Sequence, residues 1–284
     1  MTILVTGATG NVGRNVVEGL VRAGAKVRAL TRTPDRFRFP DEVEVVGGDL
    51  AAPETVRPAL AGVEALYLFP LAYLTPQIRS FEDVITTEAI VGLAAAAGVG
   101  RVVMLGSSDP DFLGLERVVE ESGMAWTILR PGEFAVNKLD QWGPSIRSGD
   151  VVRTAYADAW GTPIHEADIA DVAVAALLED GHAGAHYELT GPAALTLRQQ
   201  VAAIGEGLGR EIRFEEITHA QARAELIAAG IAPEVVDEMI LWYPDNYATL
   251  VPAVSPASEV TGRPWRTLTE WAADHADDLR REES

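Results

Sequence analysis

Three glycines near the start of the chain are spaced as in a nucleotide-binding loop. Gly7, Gly10 and Gly13 follow an apolar run at 2–6 and lead into a helical pattern at 11–24. In this setting the first glycine permits a tight turn, the second lets the backbone approach a pyrophosphate, and the third allows the helix to pack closely on the strand. The helix N-terminus would direct free N–H groups and the positive end of its dipole toward the phosphates. We therefore predict a dinucleotide site; the alternative is a tight structural turn.

The residue after the second predicted strand would select the nucleotide. This strand, at 26–32, ends in Arg32, with Arg36 close behind and no acidic residue before Asp35. An NAD site usually has a carboxylate here for the ribose 2′-hydroxyl, whereas a guanidinium can bind a 2′-phosphate. We predict that NADP(H) is preferred over NAD(H). Alternatively, Arg32 is an exposed loop residue.

The other cofactor contacts are expected at the carboxyl ends of the predicted strands, where open parallel sheets bind their ligands. Asp49 ends the third strand and would lie near the adenine, or else cap a turn. Phe69 and Pro70 end the fourth strand and are expected against the nicotinamide. The predicted cofactor-binding residues are Gly7, Thr9, Gly10, Asn11, Val12, Gly13, Arg32, Asp49, Leu50, Phe69, Pro70, Ser107 and Pro131.

Predicted strands and helices alternate through about the first 190 residues. The strands are 2–6, 26–32, 43–49, 64–69, 101–108 and 125–131, and the helices between them are 11–24, 53–62, 80–98 and 115–123. This alternation predicts βαβ units with helices on both faces of a parallel sheet. We predict an α/β fold, a Rossmann doubly wound parallel sheet with a small, mostly helical C-terminal lobe. Residues 1–155 would form the NAD(P)-binding core, to which 167–191 returns, and 156–166 with 192–284 would form the substrate lobe.

Five segments together resemble one protein family. They are TGATGNVGRNVV (6–17), GGDL (47–50), RVVMLGSS (101–108), GMAWTILRPGEFAVN (123–137) and ADIADVAVAAL (167–177). As a set they are similar to NmrA-like, atypical short-chain dehydrogenase/reductase proteins, over roughly residues 1–250. The resemblance implies a Rossmann fold with a small C-terminal lobe and NAD(P) binding. Members include NADPH-dependent quinone and dye reductases, phenylpropanoid reductases, and redox-sensing regulators that bind the cofactor without turnover, so the family leaves the activity open.

The acid-catalysis pair of the better-known short-chain dehydrogenases is missing here. In those enzymes a Tyr-x-x-x-Lys motif supplies a phenol that protonates the carbonyl and a lysine that lowers its pKa. Neither Lys26 nor Lys138 has a tyrosine four residues before it, and Phe112 and Glu116 stand at the aligned positions. Phenylalanine cannot donate a proton, and glutamate cannot replace the lysine. Ser107 could bind a substrate oxygen or, equally, be a satisfied loop hydroxyl, as could its neighbour Ser108.

Several residues remain candidates for contact with a substrate. The catalytic candidates are Ser107, Lys138 and Tyr156, and the candidate substrate contacts are Phe112, Phe134, Asn137, Trp142, Trp160 and His165. Aromatic walls would suit a flat substrate, although ordinary packing is the alternative for each of these rings. Asp168 and Asp171 are expected to cap and solvate the start of a helix.

The absence of this proton donor limits the reactions that we expect the protein to catalyse. Carbonyl reduction benefits strongly from a positioned acid, whereas a quinone, dye or flavin-like acceptor spreads the charge and can be protonated by solvent. Orientation would then supply most of the acceleration. We expect an NADPH-dependent oxidoreductase that transfers hydride to a quinone-like or conjugated aromatic acceptor. The alternatives are a non-catalytic NADP(H)-sensing regulatory binding protein and a tailoring reductase or isomerase acting on a polyketide-like substrate.

Composition limits the remaining function classes. The net charge of −19 argues against nucleic acid as a partner, because phosphate binding needs a basic face. There is no apolar run of about 18 residues, so no membrane span is expected. The absence of cysteine and the scatter of the five histidines predict no metal site. We expect a cytoplasmic protein with a small-molecule partner, and a homodimer is one option for its oligomeric state.

Overall fold

The computed structural model describes residues 1–70, 81–107, 112–228, 230–234, 236–237 and 257–281. Its strands are β1 (Thr2–Val5), β2 (Lys26–Thr31), β3 (Val43–Gly47), β4 (Ala65–Leu68), β5 (Arg101–Leu105), β6 (Ala125–Pro131), β7 (Val151–Thr154), β8 (Trp160–Gly161), β9 (Ala185–Leu189), β10 (Leu195–Thr196) and β11 (Arg213–Glu216). Seven of them form one parallel sheet in the order β3-β2-β1-β4-β5-β6-β9. The others form two-stranded sheets, in which β7 pairs with β11 and β8 with β10.

Helices connect most of these strands. They are α1 (Asn11–Arg22), α2 (Phe81–Ala96), α3 (Leu113–Glu120), α4 (Asn137–Gln141), α5 (Gly143–Gly149), α6 (Glu166–Leu178), α7 (Leu197–Gly207), α8 (His219–Ala228), α9 (Ala257–Val260) and α10 (Leu268–Asp274). The helix predicted at 53–62 is wrong, because this segment forms two short 3-10 turns, Pro53–Thr55 and Arg57–Leu60. Pro58 has no amide hydrogen to continue an α-helical ladder through the segment.

The sheet is covered on both faces, which explains its uniformly apolar strands. Every residue of β4 is buried, as are the last three residues of β1. Continuous apolar runs of this kind are typical of parallel strands between two helical layers. On one face α1 packs against α6, so closely that a Cβ built on Gly19 would lie 2.9 Å from Val174 Cγ2. The sequence of α1 suits this position, because Val12, Val16, Val17 and Leu20 form a single buried stripe.

The strand order reverses beside β1. From β1 the chain proceeds outward through β2 and β3 on one side, and then through β4, β5 and β6 on the other. In doubly wound sheets, ligands bind at the carboxyl ends of the strands beside such a reversal. The predicted Rossmann-type α/β fold with a helical C-terminal region is confirmed, and it puts the glycine segment at 7–13 beside this crevice.

The chain divides into two compact units. The first unit comprises Met1–Gly132, Glu166–Leu189 and Pro256–Pro264, and the second comprises Glu133–His165, Thr190–Ser255 and Trp265–Ser284. Residues 133–155, which the sequence assigned to the cofactor-binding core, belong to the second unit. The reason is their packing: Ile146 and Val152 lie in one apolar cluster with Val201 and Trp271, and β7 extends that unit by pairing with β11.

Candidate cofactor site

The glycine loop has the geometry of a tight turn between β1 and α1. Gly7 has a φ of +60°, a left-handed conformation that favours glycine. The amide of Gly10 donates to the Gly7 carbonyl oxygen at 2.9 Å, which closes the turn. A Cβ on Gly13 would collide with that same carbonyl group, whereas a Cβ on Gly10 would meet only its oxygen, at 3.2 Å. Gly13 is therefore required for the helix to pack on the loop, and Gly10 borders open space.

The N-terminus of α1 is available to an anion. The helix begins at Asn11, and Gly10 at the N-cap has no side chain to accept from the first amides. The first turn contains no acidic residue that would neutralise the helix dipole. The amides of the first helical turn have no partner within their own helix, so a phosphate group in front of them would gain both hydrogen bonds and favourable electrostatics.

A cavity of about 430 Å³ opens beside the glycine loop, entirely within the first unit. This volume lies in the range of small-molecule sites. Six of the predicted cofactor residues line it, namely Gly7, Thr9, Arg32, Asp49, Leu50 and Phe69. The sequence also placed Arg36 close by, and it missed the remaining lining residues, Leu30, Thr31, Thr33, Phe37 and Gly48. The other predicted cofactor residues, Gly10, Asn11, Val12, Gly13, Pro70, Ser107 and Pro131, do not line this cavity.

Two arginines give the cavity a positive wall. Arg32 and Arg36 are both exposed, and within the described part of the chain neither guanidinium has a hydrogen-bond or ion-pair partner. Some other arginines of this unit are paired: Arg28 contacts Glu44 at 2.8 Å, and Arg101 contacts Asp180 at 2.7 Å. Two unpaired guanidinium groups in one cavity suit an anionic ligand, above all a phosphate that can accept several charge-assisted hydrogen bonds.

Asp49 stabilises a turn, which is one of the two roles predicted for it. Its Oδ1 accepts from the amide of Ala51 at 3.0 Å, and its own amide donates to Thr55 Oγ1 at 2.8 Å. The residue also lines the cavity, so the turn adds a negatively charged carboxylate to a lining that contains the two positively charged arginines. Phe37 adds an aromatic ring that is 41% exposed, which is unusual for a side chain this large and apolar.

The end of β4 is fixed to the glycine loop. Thr6 Oγ1 donates to the Tyr67 carbonyl at 3.1 Å and accepts from the Phe69 amide at 2.7 Å. The Phe69 side chain then lies against Gly7, where an added Cβ would be 2.9 Å from both Phe69 Cβ and Phe69 Cγ. Gly7 thus meets two requirements, a left-handed backbone and close contact with a ring. Pro70 is buried directly after Phe69.

Phe112 and Glu116, at the positions aligned with tyrosine and lysine, are both internal. Phe112 is 4% exposed and lies in the main apolar cluster with Met104 and Leu115. Its burial corrects the expectation of substrate contact and agrees with the packing alternative. Glu116 is 1% exposed and forms an ion pair with Arg130. Ser107 follows β5 at the sheet edge, and Ser108 lies outside the described residues.

Lys138 is also internal, so it is not available as a proton donor at a surface. It is 1% exposed, forms an ion pair with Glu133, and has its ammonium 4.3 Å from the centre of the Trp142 ring. Trp142 belongs to the apolar cluster of the second unit. His165 is buried as well, with Nε2 3.3 Å from Asp274 Oδ2. For these three residues the structure favours packing over the predicted substrate contact.

The remaining candidates of the second unit are more accessible. Asn137 is exposed, and Phe134 and Trp160 are half-buried. Tyr156 is half-buried, with its hydroxyl oxygen 2.6 Å from His219 Nδ1 and a φ of +63° that is uncommon for a side chain of this size. It therefore stays a candidate proton donor. In α6, Asp168 is buried rather than solvated, and Asp171 is half-buried.

The described ranges contain neither a helix that could span a membrane nor a cluster of metal ligands. No helix there is both long and apolar enough to cross a membrane. The same residues contain no group of three or more histidine or acidic side chains placed to hold a metal ion.

The chain is similar to known NAD(P)H-binding proteins and reductases. A family model described as NAD(P)H-binding matches residues 7–180. The (4-alkanoyl-5-oxo-2,5-dihydrofuran-3-yl)methyl phosphate reductase of Streptomyces griseus is 39% identical, over 97% of this chain and 98% of its own. The NAD(P)H azoreductase of Xenophilus azovorans is 34% identical, over 96% and 98%. The triphenylmethane reductase of a Citrobacter species has the same fold, with a TM-score of 0.82, 20% identity, and coverage of 98% of this chain and 100% of that one.

These matches extend over nearly the whole chain, and the family model covers the strands, loops and helices that form the cavity. The matched range includes the glycine loop at 7–13 and all residues that line the cavity. The chain belongs to the NAD(P)H-binding family.

Proposed function

We propose that this protein is an NADPH-dependent oxidoreductase that transfers hydride to a quinone-like or conjugated aromatic acceptor without a Tyr-x-x-x-Lys acid. The observation that carries the proposal is the cavity in which the Gly7 turn, the aromatic Phe37 and two unpaired arginines meet. A glycine loop accommodates the pyrophosphate, and the arginines supply charge for a further phosphate.

The preference for NADPH rests on Arg32 and Arg36. The 2′-phosphate of NADPH is the feature that distinguishes it from NADH, and it would attract two guanidinium groups that have no partner among the described residues. In an NADH site a carboxylate at the end of β2 would accept from the ribose hydroxyls instead. Asp49 lies at the end of β3 and has one oxygen engaged with Ala51, so it does not reproduce that arrangement.

The nature of the acceptor follows from the residues that replace the acid. Phe112 and Glu116 are buried, so neither side chain is placed to protonate a bound substrate. The substrate named for the Streptomyces relative has a ring double bond with two carbonyl groups attached to one of its carbons, and that of the Xenophilus relative has an azo group. Both classes delocalise the charge that hydride delivers, as a quinone does. This shared chemistry supports a conjugated acceptor for the present protein.

The chain contributes binding and orientation. NADPH, when bound, supplies the hydride. The amides at the start of α1 and the two arginines would hold the phosphates, while Phe69 and Ser107 would border the reacting end. Holding donor and acceptor in contact can itself contribute about 7–11 kcal/mol to lowering the barrier. The proton that completes the reduction would come from water.

Kinetics on matched acceptors test this proposal. NADPH oxidation would be followed with a quinone, an azo dye and a doubly activated alkene, each compared with a simple ketone of similar size. Turnover of the conjugated acceptors with poor turnover of the ketone is the expected result. Fast ketone reduction with a pH profile showing one essential acid would contradict it, and Tyr156 would be the first residue to replace.

One alternative function is favoured by a specific observation. The burial of Phe112 and Glu116 leaves the aligned positions without a proton donor, which favours a protein that binds NADP(H) and performs no chemistry. A non-catalytic sensor would bind NADPH tightly and turn over none of the acceptors. Calorimetric titration alongside the kinetic panel therefore separates the two functions.

A further inference from the structure

The carboxyl end of β5 rests on a buried ion pair that the proposed chemistry does not use directly. Glu116, from α3, accepts from Arg130 Nε through Oε1 at 3.1 Å and Oε2 at 3.2 Å. Arg130 belongs to β6, and its Nη1 lies 3.1 Å from Glu188 Oε1 in β9. The network therefore joins α3 to two neighbouring strands, all within the first unit.

The same carboxylate also contacts the backbone at the end of β5. The Ser107 amide donates to Glu116 Oε1 at 3.4 Å. A Cβ built on Gly106 would lie 2.5 Å from that oxygen and 2.7 Å from Ile128 Cγ2. There is thus no room for a side chain at Gly106, and the strand end cannot move toward α3 without displacing the carboxylate.

The arginine keeps this carboxylate in place. Hydrogen bonding to Glu116 raises the pKa of Arg130 above its usual value, so the guanidinium remains charged at every pH used for assays. A buried carboxylate without its cation would be strongly unfavourable, which ties the two side chains together. The fork of the guanidinium also fixes the orientation of its partner more tightly than an ammonium would.

We infer that Glu116 is a positioning residue, which holds the Gly106–Ser107 backbone where it borders the reacting end of the bound cofactor. The inference rests on the proposed function, in which NAD(P)H lies across the carboxyl ends of the strands. Glu116 is too deeply buried to touch the ligand, so it acts through Ser107. In enzymes with the Tyr-x-x-x-Lys motif this helix supplies groups to the substrate. In this protein the same helix supports the end of β5.

The test compares two isosteric changes on one helix. Glu116→Gln removes the charge beneath Ser107, and Glu120→Gln makes the same change one turn later, where Glu120 Oε1 contacts His186 Nε2 at 2.9 Å. Each variant would be assayed for NADPH affinity, for kcat and KM with a quinone, and for the face of hydride transfer using stereospecifically deuterated NADPH. The fluorescence of bound NADPH provides a readout that needs no turnover.

Glu116→Gln should lower kcat by about tenfold or more, because small misplacements of reacting atoms have large effects. Its NADPH affinity should stay within about threefold, since Arg32 and Arg36 are unchanged. Hydride transfer should lose part of its selectivity for one face, and the fluorescence of bound NADPH should change. Glu120→Gln should match the natural protein in every readout.

Other results would overturn the inference. A folded Glu116→Gln variant with unchanged kcat, face selectivity and fluorescence would do so, as would equal losses in Glu120→Gln. If Glu116→Gln does not fold, Gly106→Ala tests the same contact from the other side, because its methyl group would displace the carboxylate, and the same outcomes apply. A natural protein that binds NADPH but reduces no acceptor would refute the proposed function, while the fluorescence comparison would still decide the role of Glu116.

Discussion

Replacing Arg32 with alanine should weaken NADPH binding while leaving NADH binding nearly unchanged. The guanidinium lines the cavity and has no partner in the described part of the chain, so its removal breaks no ion pair there that could complicate the measurement. Hydrogen bonds to charged groups contribute about 1.5–3 kcal/mol, and the exposure of Arg32 favours the lower end of that range. A loss of about 1.5 kcal/mol corresponds to roughly a tenfold rise in the Kd for NADPH.

Replacing Arg36 gives a second check on the expected loss of NADPH affinity. It lines the same cavity and is also unpaired among the described residues, so it should partly compensate for the loss of Arg32. The double variant Arg32→Ala/Arg36→Ala should raise the Kd by roughly a hundredfold if the two contributions add, and by more if each arginine compensates for loss of the other. Both effects should shrink at high salt, because exposed charges are screened.

Calorimetric titration with NADPH and NADH is the appropriate assay. Arg38→Ala is the matched control, since Arg38 is exposed in the same segment but does not line the cavity. An Arg32→Ala variant that binds NADPH as the natural protein does would refute the assignment of the 2′-phosphate site. So would equal weakening of NADPH and NADH, because NADH lacks the 2′-phosphate that this arginine is assigned to bind.

Three further predictions concern the loop, the cavity wall and the helix after β5. Gly10→Val should abolish NADPH binding in a folded protein, whereas Gly13→Ala should also lower the melting temperature, because its Cβ would collide with the Gly7 carbonyl group. Calorimetry and thermal unfolding distinguish the two variants. A Gly10→Val variant with normal NADPH affinity would show that the loop is only a structural turn. Phe37→Ala should weaken NADPH and NADH equally, by about 1–3 kcal/mol, if the exposed ring stacks on the adenine, and a selective loss of NADPH would count against stacking. Phe112→Leu should cost under about 1.5 kcal/mol of stability and change quinone turnover by less than about tenfold; a larger loss of kcat would show that the ring contacts the substrate.

The sheet and the glycine loop could be predicted because their signals are local. Strand–glycine–helix spacing dictates one backbone path, and Gly7 and Gly13 have the turn and the close contact that this path requires. Arg32 was identified by its place after β2, which is again a matter of counting along the chain. The preference of the cofactor site for NADPH remains a prediction.

The predictions that proved wrong depend on contacts between segments that are far apart in the sequence. A buried aromatic ring and one that faces a substrate look the same in sequence, so the core positions of Phe112 and Trp142 could not be distinguished from a pocket. Phe37 was missed because an isolated exposed aromatic residue has no periodic signal. The boundary was predicted at residue 155 and lies at residue 133, because the pairing of β7 with β11 joins segments about 60 residues apart and has no local signal.

The contact of Thr6 and Gly7 with Phe69 makes the cofactor loop dependent on a strand that is synthesised 63 residues later. Until β4 has paired with β1, the loop lacks the hydrogen bond and the ring that hold its end in place. Assembly of the site is therefore a non-local step, which requires closure of a long segment of chain and is slow compared with formation of α1 alone. Nucleotide bound in the native state stabilises that state by mass action. Cofactor supply in the cell would thus influence how much of the newly made protein is retained, and not only how fast it works.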